Sequence, residues 1–209
     1  ESKQINYVAL KNFINKCNNK KLEKVIFVST CSNYGLISNE DLADENYELN
    51  PLSDYAKHKV NIENYIMSLK GMVDYSPTVL RFATAFGLSP RMRFDLTINE
   101  FTRDLFVNNN IILYDANTWR PYCHVNDFAN LIIKVLKSEK NKIDFQIFNA
   151  GGDKNNSTKI GITESLRKYF PKSKVSFKDK GTDPRNYRVN FSKVKDVLNF
   201  EPKYTIEDG

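Results

Sequence analysis

The junction between a short apolar run and a group of hydroxyls constrains the fold of this chain more than any other feature. Lys24-Val-Ile-Phe-Val28 lacks polar alternation, which is typical of a strand buried on both faces of a parallel sheet. The run leads directly into Ser29-Thr-Cys-Ser32. Ligands of open α/β sheets bind beyond the carboxyl ends of the strands. The junction therefore predicts an α/β chain with a ligand site at Ser29, Thr30 and Ser32.

Tyr55 and Lys59 lie four residues apart in a segment with helical periodicity. Ser53 is placed to cap this helix, and apolar residues recur at helical spacing after Lys59. The two side chains then share one helix face. A tyrosine hydroxyl has a pKa of about 10, and a nearby ammonium lowers that pKa, so the pair is suited to proton transfer. The spacing alone favours a structural role, with a half-buried tyrosine beside a solvated lysine. The hydroxyls upstream of this pair favour a catalytic role.

Several further motifs follow in a fixed order along nearly the whole chain. Together they resemble the extended short-chain dehydrogenase/reductases, which include nucleotide-sugar epimerases, dehydratases and reductases. The stretches that carry the resemblance are Ser29–Gly35, Asn50–Lys59, Leu80–Gly87, Arg120–Asp127, Asp183–Tyr187, Ser192-Lys193 and Phe200–Pro202. An ordered series of this kind is more specific than any single motif.

The resemblance implies an α/β fold with a Rossmann-type parallel sheet and a smaller α+β lobe. Residues 1–88 would form the C-terminal half of an NAD(P)-binding Rossmann domain. Residues 89–209 would form mostly the substrate-binding lobe, with about 120–150 returning to the first domain. A chain of this family would begin with a strand and Gly-x-x-Gly-x-x-Gly, which binds the cofactor pyrophosphate at a helix N-terminus. No segment here matches, so the first half of the dinucleotide fold is expected to be absent; a fragment, a truncated form and a degraded gene remain open explanations.

Periodicity and turn residues predict the remaining elements. A helix is expected over 5–18 with Phe13 on its apolar face, and a buried strand over 76–82. Further helices are expected over 95–107, 126–137, 157–169 and 192–198, further strands over 111–114, 145–149 and 174–177, and an acidic surface loop over 36–49. His124 is interpreted as making a strand-end hydrogen bond, and Asp127 as the cap of the next helix.

The resemblance assigns catalysis to Thr30, Tyr55 and Lys59. Thr30 would hydrogen-bond the sugar oxygen at which Tyr55 acts as acid or base. A local backbone cap is the structural alternative for Thr30. Lys59 would hold the nicotinamide ribose and lower the pKa of Tyr55. Ser29, Tyr55, Lys59 and Phe82 would contact the cofactor, NAD or NADP.

Substrate contacts are implied at Thr30, Cys31, Ser32, Thr84, Arg120 and Arg185. Cys31 and Ser32 replace the Asp-Glu pair of 4,6-dehydratases, which argues against dehydration. Cys31 would be an alternative acid/base or a packed side chain. Thr84 stands at a family asparagine and retains a hydroxyl for hydrogen bonding. Arg120 and Arg185 would clamp the diphosphate through guanidinium forks, with surface ion pairing as the alternative.

Composition and charge limit the cellular compartments and the classes of partner that are expected for this protein. The net charge of +6 is dispersed among acidic residues and no nucleic-acid motif is present. Three cysteines, Cys17, Cys31 and Cys123, give neither a disulfide framework nor zinc spacing. No apolar run has transmembrane length, so a cytoplasmic protein without membrane or nucleic-acid partners is expected. The resemblance makes a homodimer plausible.

These observations predict an NAD(P)-dependent epimerase of a nucleotide-activated sugar, acting by transient hydride transfer at C4 of the ring with Tyr55 as acid/base. One alternative in the same family is a 4-keto-sugar reductase that consumes NADPH. An alternative of another class is a non-catalytic, truncated nucleotide-sugar-binding remnant. The sequence determines neither the sugar nor the choice between NAD and NADP.

Overall fold

A parallel three-stranded sheet forms the centre of the computed structural model, which describes residues 2–18, 21–38, 41–179 and 184–209. Its strands are β1 (Lys24–Thr30), β2 (Ser76–Phe82) and β6 (Gln146–Ala150), in the order β1-β2-β6. Strand β2 lies in the middle and is buried up to its last residue. Strand β1 lies at the edge and Val28 is 39% exposed. The expectation that β1 is buried on both faces is therefore wrong, because no described strand pairs with its outer edge.

Helices cover both faces of this sheet. A π-helical segment, Gln4–Ala9, continues into α1 (Leu10–Cys17), which packs with α2 (Asp54–Ser68). Their apolar residues meet a row of sheet side chains in one cluster: Ile14, Phe27, Ile62, Ile66 and Val79. Alternate sheet residues point the other way and pack with α4 (Val125–Lys137) and α7 (Ser192–Leu198), and this second cluster includes Leu80, Phe128, Leu131, Phe148 and Val194. The helix α5 (Lys140–Ile143) precedes β6.

One side chain of the first helix does not follow the expected pattern. The periodicity places Phe13 on the apolar face, but the residue is 62% exposed. Ile14 and Cys17 are the residues that face the core, and successive helical residues differ by about 100° in direction. Burial of Ile14 therefore turns Phe13 toward solvent.

A second group of elements lies beyond the central sheet. It contains β3 (Thr84–Phe86), β5 (Trp119–His124) and β7 (Asn156–Thr158) in one sheet, and β4 (Asn110–Tyr114) paired in parallel with β8 (Lys174–Lys178). Helices α3 (Thr97–Asn108) and α6 (Lys159–Arg167) pack on these strands around a cluster that includes Phe86, Leu105, Leu113, Tyr122 and Ile162. The helix expected from Ser157 begins at Lys159, because Ser157 pairs with Arg120 and Thr158 caps the helix.

The structure confirms the role expected for His124 but not the role expected for Asp127. His124 accepts a hydrogen bond at Nδ1 from the backbone N–H of Asn126 (3.2 Å) and so caps α4, which confirms a structural role. Asp127 is not the cap. Its buried carboxylate accepts the backbone N–H groups of Lys203 and Tyr204 (both 3.1 Å), which fixes the C-terminal segment against α4.

The sequence motifs extend slightly beyond the described part of the chain. Asp183 of the C-terminal motif and Asn39 and Glu40 of the acidic loop lie outside the described residues. The division of the chain near residue 88 stays a prediction. None of the helices in the described ranges has both the length and the apolar character that crossing a membrane requires.

Candidate active site

A cavity of about 1220 Å³ opens at the carboxyl ends of β1 and β2. Residues of α3 and β4 also line it, so both groups of elements contribute to its wall. Eight of the ten residues singled out in the sequence line this one cavity: Ser29, Thr30, Ser32, Tyr55, Phe82, Thr84, Arg120 and Arg185. The motifs that are scattered along the sequence thus converge where the parallel strands end, as expected for an α/β ligand site.

The first turns of α2 present Tyr55 and Lys59. Ser53 accepts the backbone N–H of Ala56 (3.2 Å), which confirms the expected N-cap. The Tyr55 side chain reaches the cavity and remains 44% exposed. The Lys59 ammonium donates to the carbonyl oxygen of Val28 (2.8 Å) and lies 5.6 Å from the centre of the Tyr55 ring. Lys59 therefore ties the helix to the end of β1, close behind the tyrosine.

Burial shifts the pKa values of both Tyr55 and Lys59. Burial raises the pKa of Tyr55, and the cation that opposes this rise is Arg93. Burial also lowers the pKa of Lys59, against the opposing effect of the Glu63 carboxylate. The pKa of Tyr55 is thus raised overall, and its predicted lowering by Lys59 stays a prediction. Arg93 lies on the loop before α3, and no motif in the sequence marked it.

Thr30 and Ser32 form a small hydroxyl pair on the cavity wall. Thr30 Oγ1 accepts the backbone N–H of Ser32 and donates to Ser32 Oγ (both 3.1 Å), so it caps the 3₁₀ turn Cys31–Tyr34. Thr30 therefore both caps the turn and lines the cavity. Cys31 differs, because it is 1% exposed, its thiol contacts the carbonyl oxygen of Arg81 (3.1 Å), and burial raises its pKa. This burial fits the packed side chain considered for Cys31, whereas its expected substrate contact stays a prediction.

Ser29 lines the cavity but directs its hydroxyl away from it. The residue is 2% exposed, donates to the Glu63 carboxylate, and accepts from Asn33 Nδ2 (3.2 Å). Strand alternation accounts for this, because Ser29 precedes the cavity-facing Thr30 and points to the opposite face of the sheet. The Ser29 hydroxyl is thus engaged by Glu63 and Asn33, and its expected cofactor contact stays a prediction.

Two distant segments meet at Ser32. Arg185 Nη1 donates to Ser32 Oγ (3.1 Å), and the hydroxyl of Tyr187 lies 3.3 Å from the same oxygen. The guanidinium of Arg120 stacks over the Tyr187 ring at 4.9 Å from its centre. Arg120 is 6% exposed, so its side chain is buried at the cavity wall and does not lie on the open surface. Tyr187 was missed as a site residue, although it belongs to the same sequence motif as Arg185.

A buried ion pair lies beneath the cavity. Arg81 of β2 and Glu63 of α2 are in contact at 2.8 Å between Nη2 and Oε2, with their side chains 4% and 2% exposed. Arg81 Nη1 also donates to the hydroxyl of Tyr34 (2.9 Å), which donates to Asn149 Oδ1 (2.8 Å). Motif matching gave no role to Glu63. The sequence feature that could have identified Glu63 is a charged residue two helical turns after Tyr55, on the same face of α2.

The sequence profile of the NAD dependent epimerase/dehydratase family matches residues 2–151. The chain belongs to this family. Among curated relatives, the uncharacterized UDP-glucose epimerase YtcB of Bacillus subtilis is 26% identical over 98% of this chain and 63% of its own length. The UDP-glucuronate 4-epimerase of Thermodesulfobacterium geofontis is 28% identical over 90% of this chain and 57% of its own length.

Solved structures of epimerases and dehydratases share the fold. The UDP-glucuronic acid 4-epimerase of Bacillus cereus, in complex with UDP-glucuronic acid and NAD, superposes with a TM-score of 0.86 at 23% identity, covering 99% of this chain and 65% of that one. The dTDP-glucose 4,6-dehydratase of Bacillus anthracis, in complex with NAD, gives 0.83 at 25% identity, covering 100% and 67%. The expected Rossmann-type α/β fold is thus confirmed. The chain spans about three fifths of the length of the curated relatives it matches.

Proposed function

We propose that the protein is an NAD-dependent epimerase of a nucleotide-activated sugar, with Tyr55 as the acid/base. The observation that carries this proposal is the convergence of Tyr55 and Thr30 on one cavity wall, with Lys59 one helical turn behind Tyr55. Membership of the epimerase/dehydratase family supports it. Absence of a carboxylate at Cys31 and Ser32 favours epimerisation over dehydration, because these positions offer no acidic side chain for elimination.

The residues present fit the nicotinamide end of NAD. The Phe82 ring, the Ala83 segment and Tyr55 line the cavity beside the strand ends. Tyr55 and Lys59 would hold the ribose hydroxyls, since a phenol and an ammonium suit these oxygens. When bound, NAD would supply an acceptor that takes a hydride from the sugar carbon and returns it. The 209 residues contain no Gly-x-x-Gly-x-x-Gly, so the fit concerns the nicotinamide end alone.

The chain's own residues would orient the sugar and move one proton. Tyr55 would act in its phenolate form, which the charge of Arg93 favours: its Oη would accept the proton of the sugar hydroxyl as that carbon becomes a ketone, and would return it afterwards. Thr30 Oγ1 would hydrogen-bond the same sugar oxygen and hold it against Tyr55. Arg120 and Arg185 would bind diphosphate oxygens, for which guanidinium groups are well suited. Ser32, which contacts Arg185, would join the diphosphate site to the catalytic hydroxyls.

The first experiment measures nucleotide content. The protein is purified and denatured, released NAD(H) or NADP(H) is separated by chromatography, and the folded protein is titrated with NAD. We expect binding, followed by interconversion of UDP-glucose or UDP-glucuronic acid with their C4 epimers without net cofactor consumption. Stoichiometric oxidation of added NADPH would instead identify a 4-keto-sugar reductase. A folded protein that neither contains nor binds cofactor would contradict the proposal and leave the non-catalytic remnant.

A further inference from the structure

A buried polar row crosses the central sheet directly beneath the cavity. Ser29 pairs with Arg81, and Arg81 pairs with Asn149, at the penultimate position of each strand. The next row contains Thr30 and its partner Phe82, which line the cavity. The polar row therefore lies one residue before Thr30 and Phe82, and only its Ser29 also borders the cavity.

Glu63 connects helix α2 to this row. One carboxylate oxygen accepts the Ser29 hydroxyl and Asn33 Nδ2 (2.7 Å), and the other accepts Arg81 Nη2 (2.8 Å) and Nε (3.1 Å). All these donors come from β1, the 3₁₀ turn and β2. With Glu63 itself on α2, one carboxylate holds together the elements that present Thr30 and Tyr55.

The other end of the ion pair fixes the turn after β1. The Arg81 guanidinium donates to the Tyr34 hydroxyl (2.9 Å), and the Arg81 carbonyl contacts the Cys31 thiol (3.1 Å). Both ends of the Cys31–Tyr34 turn are therefore attached to one residue of β2. This turn follows Thr30 and carries Ser32.

The helix transmits the constraint to the candidate catalytic residues. Tyr55, Lys59 and Glu63 follow at intervals of four and lie along one face, with a rise of about 6 Å per interval. When Glu63 is held at the level of Ser29, the heights of Lys59 and Tyr55 along the cavity wall follow. We propose that Glu63 and Arg81 form a positioning unit that sets the spacing between Thr30 on β1 and Tyr55 and Lys59 on α2. The catalytic consequence rests on the proposed function, whereas the geometric constraint does not.

The competing interpretation is that the pair only stabilises the fold. The double variant Glu63→Leu/Arg81→Met separates the two, because well-packed apolar residues often replace a buried ion pair without loss of stability. Glu63→Gln and Arg81→Lys serve as milder variants that retain the size of the side chain. Thr78→Val is the matched control: it removes a buried hydrogen bond, to the carbonyl of Ile143, at the opposite end of β2.

Hydrogen exchange tests the constraint without any substrate. We expect amides of residues 30–34 and 54–59 to exchange on the order of tenfold faster in the double variant, with β4 unchanged, because only the local opening is eased. Thr78→Val should leave the 30–34 region protected. If the double variant does not fold, Arg81→Lys and Glu63→Gln are compared in the same way. Unchanged exchange in both regions of a folded variant would overturn the proposal.

Turnover by the purified protein tests the catalytic consequence. We expect kcat of the folded double variant to fall on the order of tenfold to a hundredfold with KM nearly unchanged, because displacement of a reacting group by about 1 Å has effects of this size. Full kcat in the folded variant would overturn the catalytic role. A wild-type protein that turns over no nucleotide sugar would contradict the proposed function, while the exchange measurement would still decide the geometric constraint.

Discussion

At the scale of single residues, Tyr55 offers the most direct test of the chemistry. Its ring is 44% exposed, so its hydroxyl contributes little to the core. We expect Tyr55→Phe to lower kcat by about 10² to 10⁴, the usual contribution of acid/base catalysis. The free energy of unfolding should change by less than about 0.5 kcal/mol, as for other surface substitutions. Steady-state kinetics and urea denaturation measure the two effects.

The matched control for this test is Tyr169→Phe. Tyr169 is also exposed, at 61%, and does not line the cavity. It should leave both kcat and stability unchanged. Equal activity of the Tyr55 and Tyr169 variants would remove Tyr55 from the catalytic proposal.

The positions of the site residues followed from the sequence more readily than their orientations. Motif spacing placed Thr30, Ser32 and Tyr55 at the end of the sheet, and they do line one cavity. The spacing did not show that the Ser29 hydroxyl turns to Glu63 or that Cys31 is buried behind the turn. Those directions depend on tertiary partners far away in the sequence, and a local pattern does not record them.

At the scale of elements, Gly35 holds the turn after β1 against the segment before α2. Its φ is +70°, and a Cβ atom would lie 1.8 Å from the carbonyl oxygen of Asn50. We expect Gly35→Ala to destabilise the protein by more than about 3 kcal/mol, because strain in the left-handed region adds to a backbone clash. Chemical denaturation measures this loss.

Gly71 provides the control for the backbone strain alone. Its φ is +80°, and a Cβ atom would meet nothing within 4 Å. Gly71→Ala should cost only about 1 kcal/mol. Equal losses for the two variants would show that the contact with Asn50 does not constrain the turn.

Element type was predictable where periodicity was long, and boundaries depended on tertiary pairing. Helices α2 and α4 and strand β2 lie where the sequence placed them. Strands β3 and β7 have three residues each, too few for a period to emerge. Ser157, which was expected in the following helix, belongs to β7 instead, because its pairing with β5 outweighs the local helix preference.

At the scale of the whole molecule, buried thiols should make the fold sensitive to alkali. Burial raises the pKa of Cys31 and Cys123 above the ordinary thiol value of 9.0. Below pH 9 both thiols stay protonated in the folded and in the unfolded chain, so their full contribution to the free energy of unfolding is retained. Above it the unfolded chain loses these protons first, so the free energy of unfolding falls. The slope from two thiols approaches about 2.7 kcal/mol per pH unit.

Urea denaturation between pH 8 and 10.5 checks this slope. The double variant Cys31→Ala/Cys123→Ala should flatten the decline by about that amount. Comparison with the variant is needed because burial lowers the pKa of Lys59 and Lys193, which has the opposite effect on stability in this range. Identical slopes in the two proteins would contradict the assignment to these thiols.

The ion pair between Glu63 and Arg81 also bears on how the chain reaches a single native state. A slip of β2 by one residue would move Arg81 to the other face of the sheet, among the apolar side chains of α4, and leave its charge unmatched. The pair therefore discriminates against misaligned strands while the sheet assembles. We expect the Glu63→Leu/Arg81→Met variant to yield more non-native species after refolding, as measured by size-exclusion chromatography. The ion pair beneath the cavity would then select the correct alignment of the strands during folding, before any ligand binds.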